Sequence, residues 1–307
     1  METIKAVVGV LYNNSGQILI AKRQKHQFMG GFWELPGGKT ENNESNKSAI
    51  TRELYEELNI KVLDLNLHQS MEHYYVDRKI ELSIYNIKKY QKHPIGAEGQ
   101  EIAWVDIDKL HRYELLPTMK AFIDSITLPN KYWITPSSGH QTKEWMNKFD
   151  KKITQNISLI QLRSKSPLNS IFIAELHNKC KQNNIKLLLN TTDKSFNEEY
   201  CDGWHITTRE MLSLTKRPCT DNKLLGASTH DLNEALKAQK LGADFVVISP
   251  VQATQTHPGT IPLGWDAAKE VVDKLNIPVY FLGGMGLKDL EKTLKLGAQG
   301  IAGVSAF

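Results

Sequence analysis

No apolar stretch in the 307 residues approaches the roughly 20 that a membrane helix requires, so no membrane-spanning helix is expected. The amino terminus, METIKAVVGVLYNN, is apolar over too few residues for a secretion signal, and it alternates as a strand does. Basic residues form no long run and the net charge is only +4, which leaves nonspecific binding to nucleic acid or a membrane surface without compositional support. The three cysteines, Cys180, Cys201 and Cys219, are odd in number and lack metal or redox spacing. They read as structural thiols of a reducing, cytoplasmic compartment. Repeats of fixed period and low-complexity tracts are also missing. What is present, 40% hydrophobic and 23% charged residues, is ordinary for a soluble globular chain, and this length divides best into two cores.

Two rhythms run along the chain. Up to about residue 128 strands dominate. IKAVVGVLYN and QILIAKR flank the turn NSG and predict a hairpin. A helix over about 45–59 follows, then KVLDLNL, then MEHYYV and IELSIYNIKKY about the turn VDRK, then EIAWVDI and a helix near 116–126. This is an α+β pattern with a mixed sheet and flanking helices. From residue 131 to 307, short apolar runs alternate with amphipathic stretches: YWIT, ISLIQLR, IKLLLN, DGWHIT, LLGAST, DFVVISP, VYFLGG and GIAGVSA. Eight such runs predict an α/β (β/α)8 TIM-type barrel, with a doubly wound sheet as the alternative.

The stretch GGKTENNESNKSAITRELYEELNI, residues 37–60, carries the sharpest chemical signal. Glu53, Glu56 and Glu57 share one helix face at i, i+3 and i+4, where three like charges repel. A hard divalent ion, Mg2+ or Mn2+, would relieve that repulsion. Arg52 is placed to pair with Glu56, and Leu54 and Leu58 to face the core. The spacing Gly38, Glu44, Arg52-Glu53-Leu54, Glu56-Glu57, Ile60 is the Nudix box, and residues 1–128 resemble the Nudix hydrolases, closest to the MutT type that hydrolyses oxidised guanine nucleotides. The flanks AVVGVLYN, GFWELPGGK, YYVDRKIEL and GAEGQEIAWV carry the likeness too. The resemblance implies that the Gly38 carbonyl, Glu53, Glu56 and Glu57 hold the metal, with Glu98 as further ligand or proton acceptor. It implies that Arg23 contacts the triphosphate, and that Phe28 and the backbone of Glu34, Leu35, Pro36 and Gly37 border the nucleotide. Two departures stand out. Asn59 replaces a glycine where a left-handed residue is expected. Pro117 occupies the place of a purine-reading asparagine, with Thr118 as a substitute donor.

SLIQLRSK, GASTHDLNEA, ISPVQATQTHPGTIPLG, FLGGMG and GVSAF fall at strand ends of the second half, which resembles thiamine phosphate synthase and its relative TenI. That likeness implies a phosphate held by Ser228, Thr256, Gly283, Gly284 and Ser305. Against intact synthase activity, Asn190-Thr191-Thr192 lacks the family's magnesium-binding aspartate, only Glu210 stands near a second acid, and His257 replaces a lysine. His205 and His230 read as hydrogen-bonded structural histidines. The expected whole is a Mg2+-dependent nucleotide pyrophosphohydrolase acting on 8-oxo-dGTP, joined to a divergent barrel with a thiamine-related phosphate ligand. The alternative is a bifunctional thiamine-metabolism protein that hydrolyses thiamine pyrophosphate analogues.

Overall fold

The computed structural model describes residues 2–75, 77–140, 142–191, 198–220, 222–254 and 259–307. It divides into two compact units, Met1–Ile123 and Asp124–Phe307.

In the first unit a four-stranded mixed sheet has the order β4-β1-β6-β5, from β1 (Glu2–Val10), β4 (Gly37–Lys39), β5 (Lys61–Tyr74) and β6 (Arg78–Gln91). A three-stranded sheet places β2 (Ile18–Lys22) between β3 (Trp33–Glu34) and β7 (Ile102–Val105). The expected hairpin is therefore only a tip. Tyr12 bridges Ile18, but β1 runs parallel to β6 from Glu2↔Arg78 to Val10↔Asn86 while β2 joins the other sheet. Nine register pairs with β6 outweigh what a turn-adjacent pairing offers. KVLDLNL and MEHYYV likewise prove to be one strand, β5, whose bulges near Val62/Asp64 and Leu67/Gln69 interrupt the alternation that a sequence reading follows.

Helix α1 (Asn46–Leu58) starts where the Ser45 hydroxyl accepts from the Ser48 N–H. Its Ala49, Ile50, Leu54 and Leu58 are buried at helical spacing against Val7, Leu11, Leu19 and Ile87. It ends at Asn59, left-handed at φ 54°, whose N–H returns to the Leu54 and Tyr55 carbonyls, as expected for a residue standing in for glycine. Helix α2 (Pro117–Thr127) follows.

The second unit is a closed parallel barrel of β8 (Lys131–Ile134), β9 (Leu159–Arg163), β10 (Lys186–Asn190), β11 (Gly203–Ile206), β12 (Leu224–Thr229), β13 (Phe245–Ile248), β14 (Val279–Phe281) and β15 (Gly300–Gly303), each paired with its neighbours. This is the barrel alternative, not the open sheet. Outside lie α3 (Lys143–Ile153), α4 (Ser170–Gln182), α5 (Thr208–Ser213), α6 (Leu232–Lys240), α7 (Trp265–Lys274) and α8 (Leu290–Lys295). The interior is plugged by aromatic rings: Tyr132 meets Phe245 edge-on at 5.4 Å, and Phe245 meets Tyr280 at the same distance. A second, larger apolar layer joins strand residues such as Ile160 and Val246 to helix residues such as Leu176 and Ala268. Among the described residues no helix is long and apolar enough to cross a membrane.

Candidate active site

In the first unit the site forms where β4 passes the acidic face of α1. At Gly38 an added Cβ would lie 2.5 Å from the Glu53 carboxyl group, so only glycine admits that carboxylate so close to the chain. Gly37, at φ +144°, donates its N–H to Glu57 Oε2 at 3.0 Å. The box thus brings backbone and side chains of two elements to one place.

Arg52 organises the rest. Its Nε and Nη2 reach the two Glu44 oxygens at 3.1 and 2.9 Å, and its Nη1 reaches Glu53 at 2.9 Å and Glu56 at 3.0 Å. The expected Arg52–Glu56 pair is present as one arm of a larger fork. Hydrogen bonds from these carboxylates, Glu44 first, hold the guanidinium above its usual range, and Arg52 in turn draws the Glu44 carboxyl down. Glu53 is raised by burial, with Arg52 opposing. Glu57 is pushed up to about 8, first by burial and then by repulsion from Glu34, Glu53 and Glu98, against the pull of the Gly37 N–H. Among the described residues no three metal-ligating side chains stand close enough to enclose a cation. The chemistry of the donors still fits a hard cation: all oxygen, with Glu53 beside Gly38, Glu57 on the Gly37 N–H, and carboxylate charge that one arginine does not neutralise.

Glu98 comes from the loop before β7. The Ala97 N–H and the Gln100 amide both donate to the Glu57 carbonyl at 2.8 Å, which ties that loop to the end of α1. Glu98 is exposed, and its carbonyl accepts from Gln24. Arg23 holds both Glu34 oxygens at 2.6 and 2.7 Å and donates from Nε to the Phe28 carbonyl. Burial raises Glu34, and Arg23 lowers it. The Phe28 ring is exposed, with the Arg78 guanidinium 4.9 Å above it and Tyr75 edge-on at 6.0 Å. Leu35 and Pro36 are buried, and the Pro36 carbonyl is engaged by the Gly9 N–H.

Sequence reasoning left Tyr75 and Arg78 without roles, although both lie in the quoted YYVDRK segment. Tyr75 hydrogen-bonds Thr118 and feels the charges of Arg23, Glu34 and Arg78, which puts it at the same site. The Thr118 hydroxyl is therefore engaged inside the protein.

In the second unit a cavity of about 620 Å³ opens at the carboxyl ends of the strands. Ser228, Gly283, Gly284 and Ser305 line it together, as do Gln161 and Arg163; Thr256 and His257 lie outside the described residues. No described lining residue is a carboxylate. Glu210 closes a capping box at the start of α5, accepting from the Thr207 N–H at 2.8 Å. His230 is hydrogen-bonded by Glu234 and Thr208, and His205 by Tyr132 and Ser228.

A two-sheet unit with a glycine-backed carboxylate helix defines a hydrolase of phosphoric anhydrides, here followed by a phosphate-synthase type of barrel. The chain belongs to the thiamine monophosphate synthase family over residues 131–307 and carries a NUDIX domain over residues 7–125. It is 30% identical to the 8-oxo-dGTP diphosphatase of Escherichia coli over 40% of its own length and 95% of that protein's. It is 40% identical to the 8-oxo-dGTP diphosphatase of Proteus vulgaris over 30% of its own length and 81% of that protein's. The thiamine-phosphate synthase of Chloroflexus aurantiacus is 31% identical over 50% of this chain and 73% of its own.

Proposed function

We propose that the first unit hydrolyses a nucleoside triphosphate, 8-oxo-dGTP, to 8-oxo-dGMP and pyrophosphate with Mg2+ (or Mn2+), as nucleotide-pool sanitation. The observation that supports this is the acidic face of α1 against β4: Glu53 beside Gly38, Glu57 on the Gly37 N–H, and Glu56 with Glu53 on Arg52. Glu53, Glu56, Glu57 and the Gly38 carbonyl would hold Mg2+, which would supply positive charge to the phosphoryl group under attack. Arg52 keeps Glu44, Glu53 and Glu56 in array beforehand. Glu57, pushed up to about 8 by burial, would release its proton on holding such a cation. Glu98 accepts the proton of the attacking water, Arg23 meets the triphosphate, and Phe28 with the Glu34–Gly37 backbone borders the base. In the barrel, Ser228, Gly283, Gly284 and Ser305 hold a thiamine-related phosphate.

A second reading, hydrolysis of thiamine pyrophosphate analogues, is favoured by the thiamine-type barrel on the same chain and by Pro117 and Thr118. The first has no side-chain donor and the second has its hydroxyl engaged by Tyr75. Pyrophosphate released from the guanine nucleotides and orthophosphate released from oxidised thiamine pyrophosphate, each measured with Mg2+, separate the two readings. Preference for 8-oxo-dGTP over dGTP supports sanitation. Turnover of oxidised thiamine pyrophosphate, with both guanine nucleotides slow, overturns it.

A further inference from the structure

Three side chains form a line at the floor of the barrel cavity. The Tyr132 hydroxyl lies 3.0 Å from His205 Nδ1, and His205 Nε2 lies 2.8 Å from Ser228 Oγ. Tyr132 and His205 are buried; Ser228 is only partly so and faces the cavity. Their strands β8, β11 and β12 fix the line from rigid elements. The His205 ring has its place because residue 226 on β12 is glycine: an added Cβ there would sit 2.8 Å from Nδ1 and 2.5 Å from the Phe245 ring.

The direction of the two hydrogen bonds follows from what each group can do. His205 is neutral. Burial drives its titration down to about 3, Arg163 works in the same direction, and the attraction of Glu210 does not offset them. A neutral imidazole donates from one nitrogen and accepts at the other. If Nδ1 carried the proton, Tyr132 would accept from it, and the phenol proton would be left in an aromatic interior beside Phe245 and Tyr280, where His205 is the one hydrogen-bond partner of the Tyr132 hydroxyl among the described residues. A buried donor without an acceptor costs more than a mere exchange of tautomers. Tyr132 therefore donates to Nδ1, the ring proton sits on Nε2, and Nε2 donates to Ser228 Oγ. Ser228 Oγ then accepts this bond on one of its two lone pairs, and its own proton is left for the cavity.

We propose that Tyr132 and His205 are positioning residues that hold the Ser228 hydroxyl as a hydrogen-bond donor for an anionic oxygen of the phosphate class. This rests on the reading of the barrel cavity as a phosphate site. The cavity is suited to an anion: Arg163 and Arg209 line it, no described lining residue is a carboxylate, and the glycine pair after β14 is also there. A serine free to turn would serve donors and acceptors alike. This one holds its proton toward the cavity and so favours a ligand oxygen that accepts. An acceptor sits at Gln161, almost fully buried on the same lining, whose Oε1 has no partner among the described residues and is open to a ligand N–H or O–H.

The test uses the full chain, with EDTA present to empty the hydrolase carboxylates of metal. Nitrogen-15 NMR of the histidine-labelled protein at neutral pH is expected to show His205 protonated on Nε2 and bare on Nδ1. Protonation on Nδ1 overturns the relay, whatever the cavity binds. Inorganic phosphate titrated calorimetrically is expected to bind roughly tenfold more weakly to Ser228→Ala, the loss of one hydrogen bond to a charged oxygen. Tyr132→Phe, which keeps the ring and removes the proton that sets the tautomer, is expected to weaken phosphate several-fold and to let the His205 signal move to a mixture. Ser228→Thr, which keeps the hydroxyl, is expected to retain affinity. Phosphate binding unaffected by Ser228→Ala, or absent in the parent protein, overturns the anion assignment itself while leaving the tautomer result to judge the relay separately.

Discussion

Replacing Glu57 by glutamine tests the central electrostatic claim without any substrate. Burial first, then repulsion from Glu34, Glu53 and Glu98, raises this carboxyl from 4.5 to about 8 on folding. A raised folded-state value means that the folded protein holds the proton more tightly. The group costs nothing below about pH 4.5, where both states are protonated; stability then falls as pH rises and levels off above about 8. At pH 7, 2.5 units above the unfolded value, the cost is about 3.4 kcal/mol at ~1.36 kcal/mol per unit. Glutamine has the same shape, stays neutral, and can still accept from the Gly37 N–H. In EDTA at pH 7 the Glu57→Gln protein should therefore be about 2–4 kcal/mol more stable to urea than its parent, and the gap should vanish toward pH 4. Added Mg2+ at 100 times its dissociation constant should close most of that gap, because the parent gains about 2.7 kcal/mol while the variant binds poorly. Equal stabilities in EDTA, or a gap that does not grow from pH 5 to 8, would show that Glu57 is not held against charge and that its placement beside Gly37 is not a cation site.

Two further outcomes follow from the same region. Glu53→Gln should leave the melting transition in place and lower pyrophosphate release at least about a hundredfold in kcat, since it removes charge aimed at the reacting phosphate; wild-type turnover in that variant sinks the ligand assignment. Asn59→Gly should stabilise the first unit by about 0.5–1 kcal/mol in urea unfolding, because residue 59 sits left-handed at φ 54° and its bond from Lys92 is exposed. A loss of stability would mean that the Lys92 contact outweighs the relieved backbone.

The box was legible because its chemistry is local. Glu53, Glu56 and Glu57 share a face by helix geometry alone, Asn59 ends that helix by its own tolerance of positive φ, and eight evenly spaced apolar runs leave few ways to close a parallel sheet. Strand partnership was not legible. That β1 leaves its turn neighbour for β6, or that β5 carries bulges through a broken alternation, depends on pairing across dozens of residues, which a local pattern does not encode. The same limit applied to the sites. Arg23 and Glu34 were each singled out, yet their mutual pairing, the place of Tyr75 beside Thr118, and the enclosure of Glu210 in a helix cap emerged only once distant segments met. The amino-acid sequence by itself determined which groups were available and their order along each helix and strand. Tertiary structure alone decided which of them are buried together, and burial turns a surface glutamate into one that titrates near 8 and a histidine into a neutral link between Tyr132 and Ser228.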